Sequence, residues 1–194
     1  MRTEKGELHL FVAIDRTSRF AFVEPHEKAT RRVAADFLRR LAAAVPYRIH
    51  IVLTDNGTRF TDPAGDGWTP EDIKEMRARK APFLCHAFEA ARADLDIEHR
   101  LTKPRRPWTN GQAERMNRTI KEASVKRYRY DSHDQLRRRL GDFVAAHNFG
   151  RGPKTLRGLT PCEAIRKAWA DNPSRFTSNP HHQCRDRTSN ESGP

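Results

Sequence analysis

The sequence predicts an α/β domain, and three observations favour this fold class. An apolar run over 8–14 has the length of a buried strand, and a polar turn joins it to an alternating stretch over 20–24. After Thr30, a typical helix N-cap, apolar residues recur at helical spacing and form one stripe. A third strand is predicted over 49–54. Strands and helices therefore follow one another along the chain, which is typical of α/β folds.

The remainder of the chain is predicted to be mostly helical. Residues 62–81 are rich in Gly, Pro and charge, and we interpret them as an insertion that contains one short helix. Helices are predicted near 84–95, 112–129, 132–147 and after Thr160, with one more strand over 97–102. The predicted domains are a core over 1–150 with the insertion at 62–81, a C-terminal helical extension over 151–175, and a polar, disordered tail over 176–194.

The charge of the chain indicates a polyanionic partner. The 194 residues have a formal net charge of +12, and over 99–129 ten Lys or Arg residues stand against two Glu residues. Nucleic acid is the leading candidate, because Lys and Arg neutralise phosphates and release counterions. No stretch is apolar enough to span a bilayer, and no signal peptide is recognisable, so we expect a cytoplasmic protein without a membrane partner.

The stretch LTDNGTRF, at 53–60, brings Asp55 to the end of a predicted strand and then turns through Asn56 and Gly57. A carboxylate at a strand end can hold a cation. The same three residues are also ordinary turn chemistry, because they tolerate the backbone angles that tight turns need. On this stretch alone, a cation site and a plain turn both remain open.

The helix predicted over 112–129 has one apolar face and one polar face. Apolar residues recur at helical spacing from Ala113 to Ala123 and are predicted to pack in the core. The neighbouring face offers one carboxylate beside an amide and two cations: Glu114, Asn117, Arg118 and Lys121. Glu114 can be an ion-pair partner of Arg118, four residues later, or part of a site, and the helix alone leaves both open.

Asp55 and Glu114 together favour a metal site. Two divalent ions can activate an attacking oxygen and stabilise a leaving oxygen in phosphodiester chemistry on DNA. Mg²⁺ takes hard oxygen ligands, usually a few carboxylates together with waters and substrate phosphates. The two acids lie on separate predicted elements, and cations beside Glu114 would hold a DNA backbone in register.

Three segments resemble one family of proteins: VLTDNGTRFTD, DIEHRLTKPRRPWTNGQAERMNRTIKE and LRGLTPCEAIRKAW. They are similar to bacterial insertion-element transposases that share a retroviral-integrase (DDE) catalytic core, and the resemblance extends from about Leu8 to Trp169. It implies a ribonuclease-H-like α/β fold, a mixed sheet flanked by helices. It also implies DNA integration by nicking and strand transfer, with an Asp-Asp-Glu triad that binds Mg²⁺ or Mn²⁺ and no small-molecule cofactor.

The resemblance carries over to individual residues of this chain. Asp55 matches the second acid of the triad and Glu114 the third, so both are expected to be catalytic metal ligands. Residues expected to contact DNA, either the element ends or the target, are Lys103, Arg105, Arg106, Asn117, Arg118 and Lys121. The family further implies a homo-oligomer assembled on DNA, associated with the bacterial nucleoid.

The first acid of the triad departs from the family pattern. Asp15 completes a nominal Asp-Asp-Glu set, but it matches a hairpin turn of the family, so we interpret it as a turn residue and not as the third metal ligand. The catalytic strand would precede Leu8, where MRTEKGE cannot form a buried strand. The sequence therefore predicts an N-terminally truncated core that lacks its first, central strand. Its loss leaves two inner sheet edges unpaired and a hole in the core.

Three functional hypotheses follow from these observations. The first is a DDE transposase core that is truncated and therefore weakly active or inactive. The second is a non-catalytic DNA-binding protein that co-assembles with the full-length transposase. The third is a nuclease acting on RNA–DNA hybrids, which ranks last because TNGQAERMNRT is typical of transposition.

Overall fold

The computed structural model describes residues 1–61, 69–79, 85–102, 111–125, 130–150 and 152–183. Its strands are β1 (Arg2–Thr3), β2 (Gly6–Glu7), β3 (His9–Ile14), β4 (Ala21–His26), β5 (Ile51–Thr54) and β6 (Glu98–Leu101). Its helices are α1 (Arg31–Ala44), α2 (Pro70–Ala78), α3 (Ala87–Asp94), α4 (Gly111–Ile120), α5 (His133–Ala145), α6 (Pro161–Asp171) and α7 (Pro180–Gln183). No helix within these described ranges is long and apolar enough to cross a bilayer.

The strands form three separate pairs. β1 and β2 are antiparallel, β3 and β4 are antiparallel with Ile14 opposite Ala21, and β5 and β6 are parallel with Thr54 opposite Leu101. In the described part of the chain, β3 pairs only with β4 and β5 pairs only with β6. The predicted hairpin and the predicted strands at 49–54 and 97–102 are confirmed. The small hairpin of β1 and β2 was not expected from the polar sequence at 1–7.

Strand β3 separates two apolar clusters, because successive side chains of a strand point to opposite faces. Phe11 and Ala13 belong to the cluster built on α1 and α3. Leu8, Leu10 and Val12 belong to the cluster built on α4 and α5. Helices therefore cover both faces of the β3–β4 hairpin, as expected of an α/β fold.

Local capping explains where several helices begin. The side chain of Thr30 accepts a hydrogen bond from Val33 N at 3.2 Å and starts α1. At α6, Thr160 and Glu163 form a reciprocal capping box with Pro161 at the first turn. The predicted long helix is regular only to Ile120, and one wider π turn, Lys121–Val125, follows it.

The segment before β5 anchors the C-terminal part of the described chain. Thr177 N donates to the carbonyl of Pro46 at 2.8 Å, and the rings of Phe176 and Tyr47 meet edge to face. Pro180 is buried as well. Phe176 and Pro180 are therefore apolar anchors within a stretch that the sequence assigns to the polar tail.

Candidate functional site: a cleft between β5 and α4

The residue that ends β5 enters a tight turn at once. Asp55 Oδ1 accepts a hydrogen bond from Gly57 N at 2.9 Å, and Asn56 Nδ2 donates to the Thr102 carbonyl at 3.2 Å. A Cβ atom at Gly57 would lie 2.8 Å from Asp55 Oδ1, closer than non-bonded atoms approach. The absence of a side chain at Gly57 therefore leaves room for the carboxylate of Asp55.

The first turn of α4 presents Glu114 to solvent, because the opposite face of the helix is buried. Met116 and Ile120 are 6 % and 1 % exposed and pack in the cluster on α4 and α5. Glu114 and Arg118 are exposed, and Asn117 is half-buried. This arrangement is the amphipathic division that the sequence predicts for the helix.

One open cavity of about 1360 Å³ connects these two elements. Its wall includes both acidic residues and the polar residues of α4 and of the π turn after it: Asp55, Glu114, Asn117, Arg118 and Lys121. The structure therefore brings all the predicted site residues that it describes to one cavity. Lys103, Arg105 and Arg106 lie outside the described residues.

The same cavity lies between β3 and β5, which do not pair with each other in the part of the chain that the structure describes. Every residue of both strands contributes to its wall. Ile51, at the start of β5, is 45 % exposed, whereas strands inside an α/β sheet are normally buried on both faces.

Asp15 also lines the cavity, but its carboxylate is engaged in the β3–β4 turn. Oδ1 accepts from Thr17 N at 3.0 Å. Oδ2 accepts from Ser18 N at 3.2 Å, from Ser18 Oγ at 2.5 Å and from the Tyr47 hydroxyl at 3.0 Å. Tyr47 precedes β5, whereas Asp55 follows it, so the hydrogen bond attaches Asp15 to the opposite end of that strand.

The architecture and the sequence both match known integrases. A family model described as an integrase core domain matches residues 1–107. The chain belongs to the integrase core domain family. A second model with the same description matches residues 95–161. No curated protein sequence matches this integrase core.

A solved structure supports the fold assignment independently. The catalytic core domain of BIV integrase is 18 % identical in sequence to this chain, with a TM-score of 0.59. The match covers 86 % of this integrase core and 91 % of that chain. The predicted ribonuclease-H-like α/β fold class is thereby confirmed.

Two acidic residues of this integrase core line the same cavity. Asp55 and Glu114 offer hard carboxylate oxygens to the same cavity, which suits Mg²⁺ or Mn²⁺. Within the described ranges, however, no group of three or more His, Cys, Asp or Glu side chains is placed to hold a metal ion.

A buried polar network behind Asp55 has no counterpart in the sequence predictions. Thr54 Oγ1 lies 2.7 Å from His99 Nε2, and His99 Nδ1 lies 2.5 Å from Glu89 Oε1. Arg92 Nε donates to the second oxygen of Glu89. Burial acts to raise the pKa of Glu89, but the hydrogen bonds from His99 and Arg92 outweigh it and hold that pKa below its usual range.

The sequence feature that indicates this network can be recognised only when the pairing of β5 with β6 is known. His99 lies in a short alternating strand, where one polar side chain on the buried face is unusual. Its side chain is 5 % exposed, and that of Glu89 is 10 % exposed. Without the strand register, the sequence contains no reason to connect either residue with Asp55.

Proposed function

We propose that this chain is a DDE-type transposase core that binds DNA and takes part in metal-dependent nicking and strand transfer. The single observation that supports this most directly is the shared cavity, in which Asp55 and Glu114 stand beside the polar face of α4. Membership of the integrase core domain family favours DNA integration as the reaction class. The expected setting is the nucleoid of a bacterial cytoplasm, with a homo-oligomer assembled on element ends and target DNA.

Each group in the cavity has a definite part in this proposal. When bound, divalent ions activate an attacking oxygen and stabilise a leaving oxygen. Asp55 and Glu114 would hold these ions, while Arg118 and Lys121 would neutralise phosphates of the DNA backbone. Asn117 offers an amide that can both donate and accept hydrogen bonds to DNA. Because the described residues provide two of three acids, we expect weak activity or none from this chain alone.

The experiment is an oligonucleotide nicking and strand-transfer assay with Mg²⁺ or Mn²⁺, using the full chain. The matched variants are Asp55→Asn and Glu114→Gln, which remove charge and keep shape. Loss of any measured activity in both variants supports the proposal. Activity that persists in both variants contradicts it, and activity that depends on Asp15 instead contradicts the interpretation of Asp15 as a turn residue.

The incomplete acid set also favours a second function, a non-catalytic DNA-binding protein that co-assembles with full-length transposase. In that case, DNA affinity falls with salt because Lys and Arg release counterions on binding. The same affinity stays unchanged in Asp55→Asn and Glu114→Gln, and no DNA product forms. Mixed oligomers with the full-length enzyme, detected by light scattering, would distinguish this function from an inactive core that does not co-assemble.

A further inference from the structure

The hydroxyl of Thr54 lies between two groups that can accept its single hydrogen. Its Oγ1 is 2.7 Å from His99 Nε2 and 3.0 Å from the backbone carbonyl oxygen of Asp55. A hydroxyl has one donor hydrogen and two acceptor lone pairs, so it cannot donate to both. Thr54 is buried, which makes the choice between these partners energetically significant.

Glu89 fixes one nitrogen of the His99 ring. An ionised carboxylate only accepts hydrogen bonds, so His99 Nδ1, which contacts Glu89 Oε1, carries a hydrogen. If Nε2 carries no hydrogen, it accepts a hydrogen bond from the Thr54 hydroxyl. Thr54 then donates no hydrogen bond to the Asp55 carbonyl. If Nε2 also carries a hydrogen, it donates to Thr54 Oγ1, and Thr54 then donates to Asp55. Arg92 faces the other oxygen of Glu89 and stabilises its charge.

The peptide that follows Asp55 is coupled to the Asp55 carboxylate. Oδ1 accepts from Gly57 N at 2.9 Å, and Asn56 is attached to the carbonyl of Thr102. A peptide unit is planar, so rotation of the 55–56 peptide moves the Asp55 carbonyl and the Asn56 amide together. A hydrogen bond at that carbonyl therefore restricts where the carboxylate can point within the cavity.

A second buried histidine holds the other end of this turn. His86 Nδ1 accepts from Phe88 N at 3.2 Å, and His86 Nε2 lies 3.1 Å from the carbonyl oxygen of Thr58. Because Nδ1 is the acceptor, Nε2 is the nitrogen that donates to Thr58. Residues 54–58 are thus attached at both ends to the unit formed by α3 and β6.

We propose that His99 and Thr54 are positioning residues for Asp55. In this arrangement His99 Nε2 donates to Thr54 Oγ1 and Thr54 donates to the Asp55 carbonyl. The two residues thereby fix the peptide that follows Asp55, and hence the direction of its carboxylate into the cavity. This inference rests on the proposed function, in which Asp55 is a metal ligand. Removing a group that orients a ligand typically lowers metal affinity or activity by about 10–100-fold.

The test compares Thr54→Val, which keeps the shape and removes the hydroxyl, with Thr54→Ser, which keeps the hydroxyl. The measurements on the full chain are the ¹⁵N–¹H spectrum, the Mn²⁺ affinity by electron paramagnetic resonance, and thermal unfolding. In Thr54→Val we expect the amide signals of Asn56 and Gly57 to move and the Mn²⁺ affinity to fall about tenfold. In Thr54→Ser both stay close to wild type.

Three outcomes have distinct meanings. Unmoved Asn56 and Gly57 signals in Thr54→Val overturn the positioning role. Wild-type Mn²⁺ binding that is absent or unaffected by Asp55→Asn rejects the proposed function, while the amide signals still decide the positioning role. If Thr54→Val does not fold, the imidazole ¹⁵N spectrum of wild type decides: hydrogens on both Nδ1 and Nε2 of His99 support the positioning role, and an Nε2 without a hydrogen overturns it.

Discussion

The Tyr47 hydroxyl donates a hydrogen bond to the Asp15 carboxylate at 3.0 Å and joins the β3–β4 turn to the segment before β5. The same carboxylate accepts from the backbone amides of Thr17 and Ser18, which is the pattern of an Asx turn. An acid that is engaged from several sides has few lone pairs left for a metal ion. The geometry thus supports a structural role for Asp15.

We expect Asp15→Ala to lower the free energy of unfolding by about 1–3 kcal/mol, since it removes a charged acceptor from the turn. Mn²⁺ affinity should not change. Urea denaturation and a metal titration measure the two effects, and Tyr47→Phe serves as the control because it removes a single bond of the set. Normal stability together with lost Mn²⁺ binding would make Asp15 a metal ligand after all.

Gly57→Ala should weaken metal binding and leave the stability of the fold almost unchanged. The new Cβ would lie 2.8 Å from Asp55 Oδ1, so the exposed carboxylate must move, while the backbone has no other reason to do so. We expect stability to change by about 0.5 kcal/mol or less and Mn²⁺ binding to weaken. Gly141→Ala in α5 is the control, because a Cβ there meets nothing within 4 Å. Equal metal affinity in both variants would contradict the assignment of Asp55.

Features that depend on local chemistry could be predicted from the sequence. The caps at Thr30 and Thr160 locate their helices because a side-chain oxygen satisfies a backbone N–H three residues away. The turn at Asp55 follows from its neighbours Asn56 and Gly57 in the same way. Each of these interactions forms between residues a few positions apart, so both partners can be identified in the sequence.

Features that depend on strand pairing could not be predicted. Thr54 and His99 are separated by 45 positions and meet only because β5 and β6 are parallel and in register. The π turn after Ile120 has no Pro or Gly to indicate it. Phe176 docks on Tyr47 from a stretch whose polar composition suggests a loose tail. For Thr54 and Phe176 the decisive contact lies far away in the sequence.

Asn148 is expected to be one of the most sensitive positions for stability. Its buried amide donates to the Ala21 carbonyl at 2.8 Å and accepts from Ala21 N at 2.9 Å, which completes the outer edge of β4. Asn148→Ala leaves both backbone groups without this partner and should cost about 2–4 kcal/mol in urea denaturation. Asn172→Ala, at an exposed position, is the control and should cost much less. Similar losses in the two variants would contradict this role.

Stability should fall in acid partly because of Glu89. The hydrogen bonds from His99 and Arg92 keep the pKa of Glu89 in the folded protein below its usual value of 4.5. The stabilisation is therefore complete above about pH 4.5 and is lost as the pH falls through the lower, folded-state pKa. In Glu89→Gln we expect lower stability at pH 7 and a shallower loss below pH 4.5.

The measurement for Glu89 is urea denaturation between pH 3 and pH 7, at about one-unit steps. Glu4→Gln is the control, because Glu4 is exposed. That variant should follow the wild-type profile over the whole range. A Glu89→Gln profile parallel to wild type would mean that Glu89 does not contribute to the acid sensitivity.

DNA affinity should depend on the cations of α4 and of the π turn after it more than on other surface cations. Arg118 and Lys121 line the cavity beside Glu114, so a phosphate held by either one would release counterions on binding. Arg118→Ala and Lys121→Ala should each lower the slope of log affinity against log salt by about 1, as measured by fluorescence anisotropy with duplex DNA. Arg138→Ala, on an exposed position of α5, should leave the slope unchanged. Equal slopes in all three variants would indicate that DNA is attracted diffusely to the basic surface. DNA would then not bind specifically at the cavity.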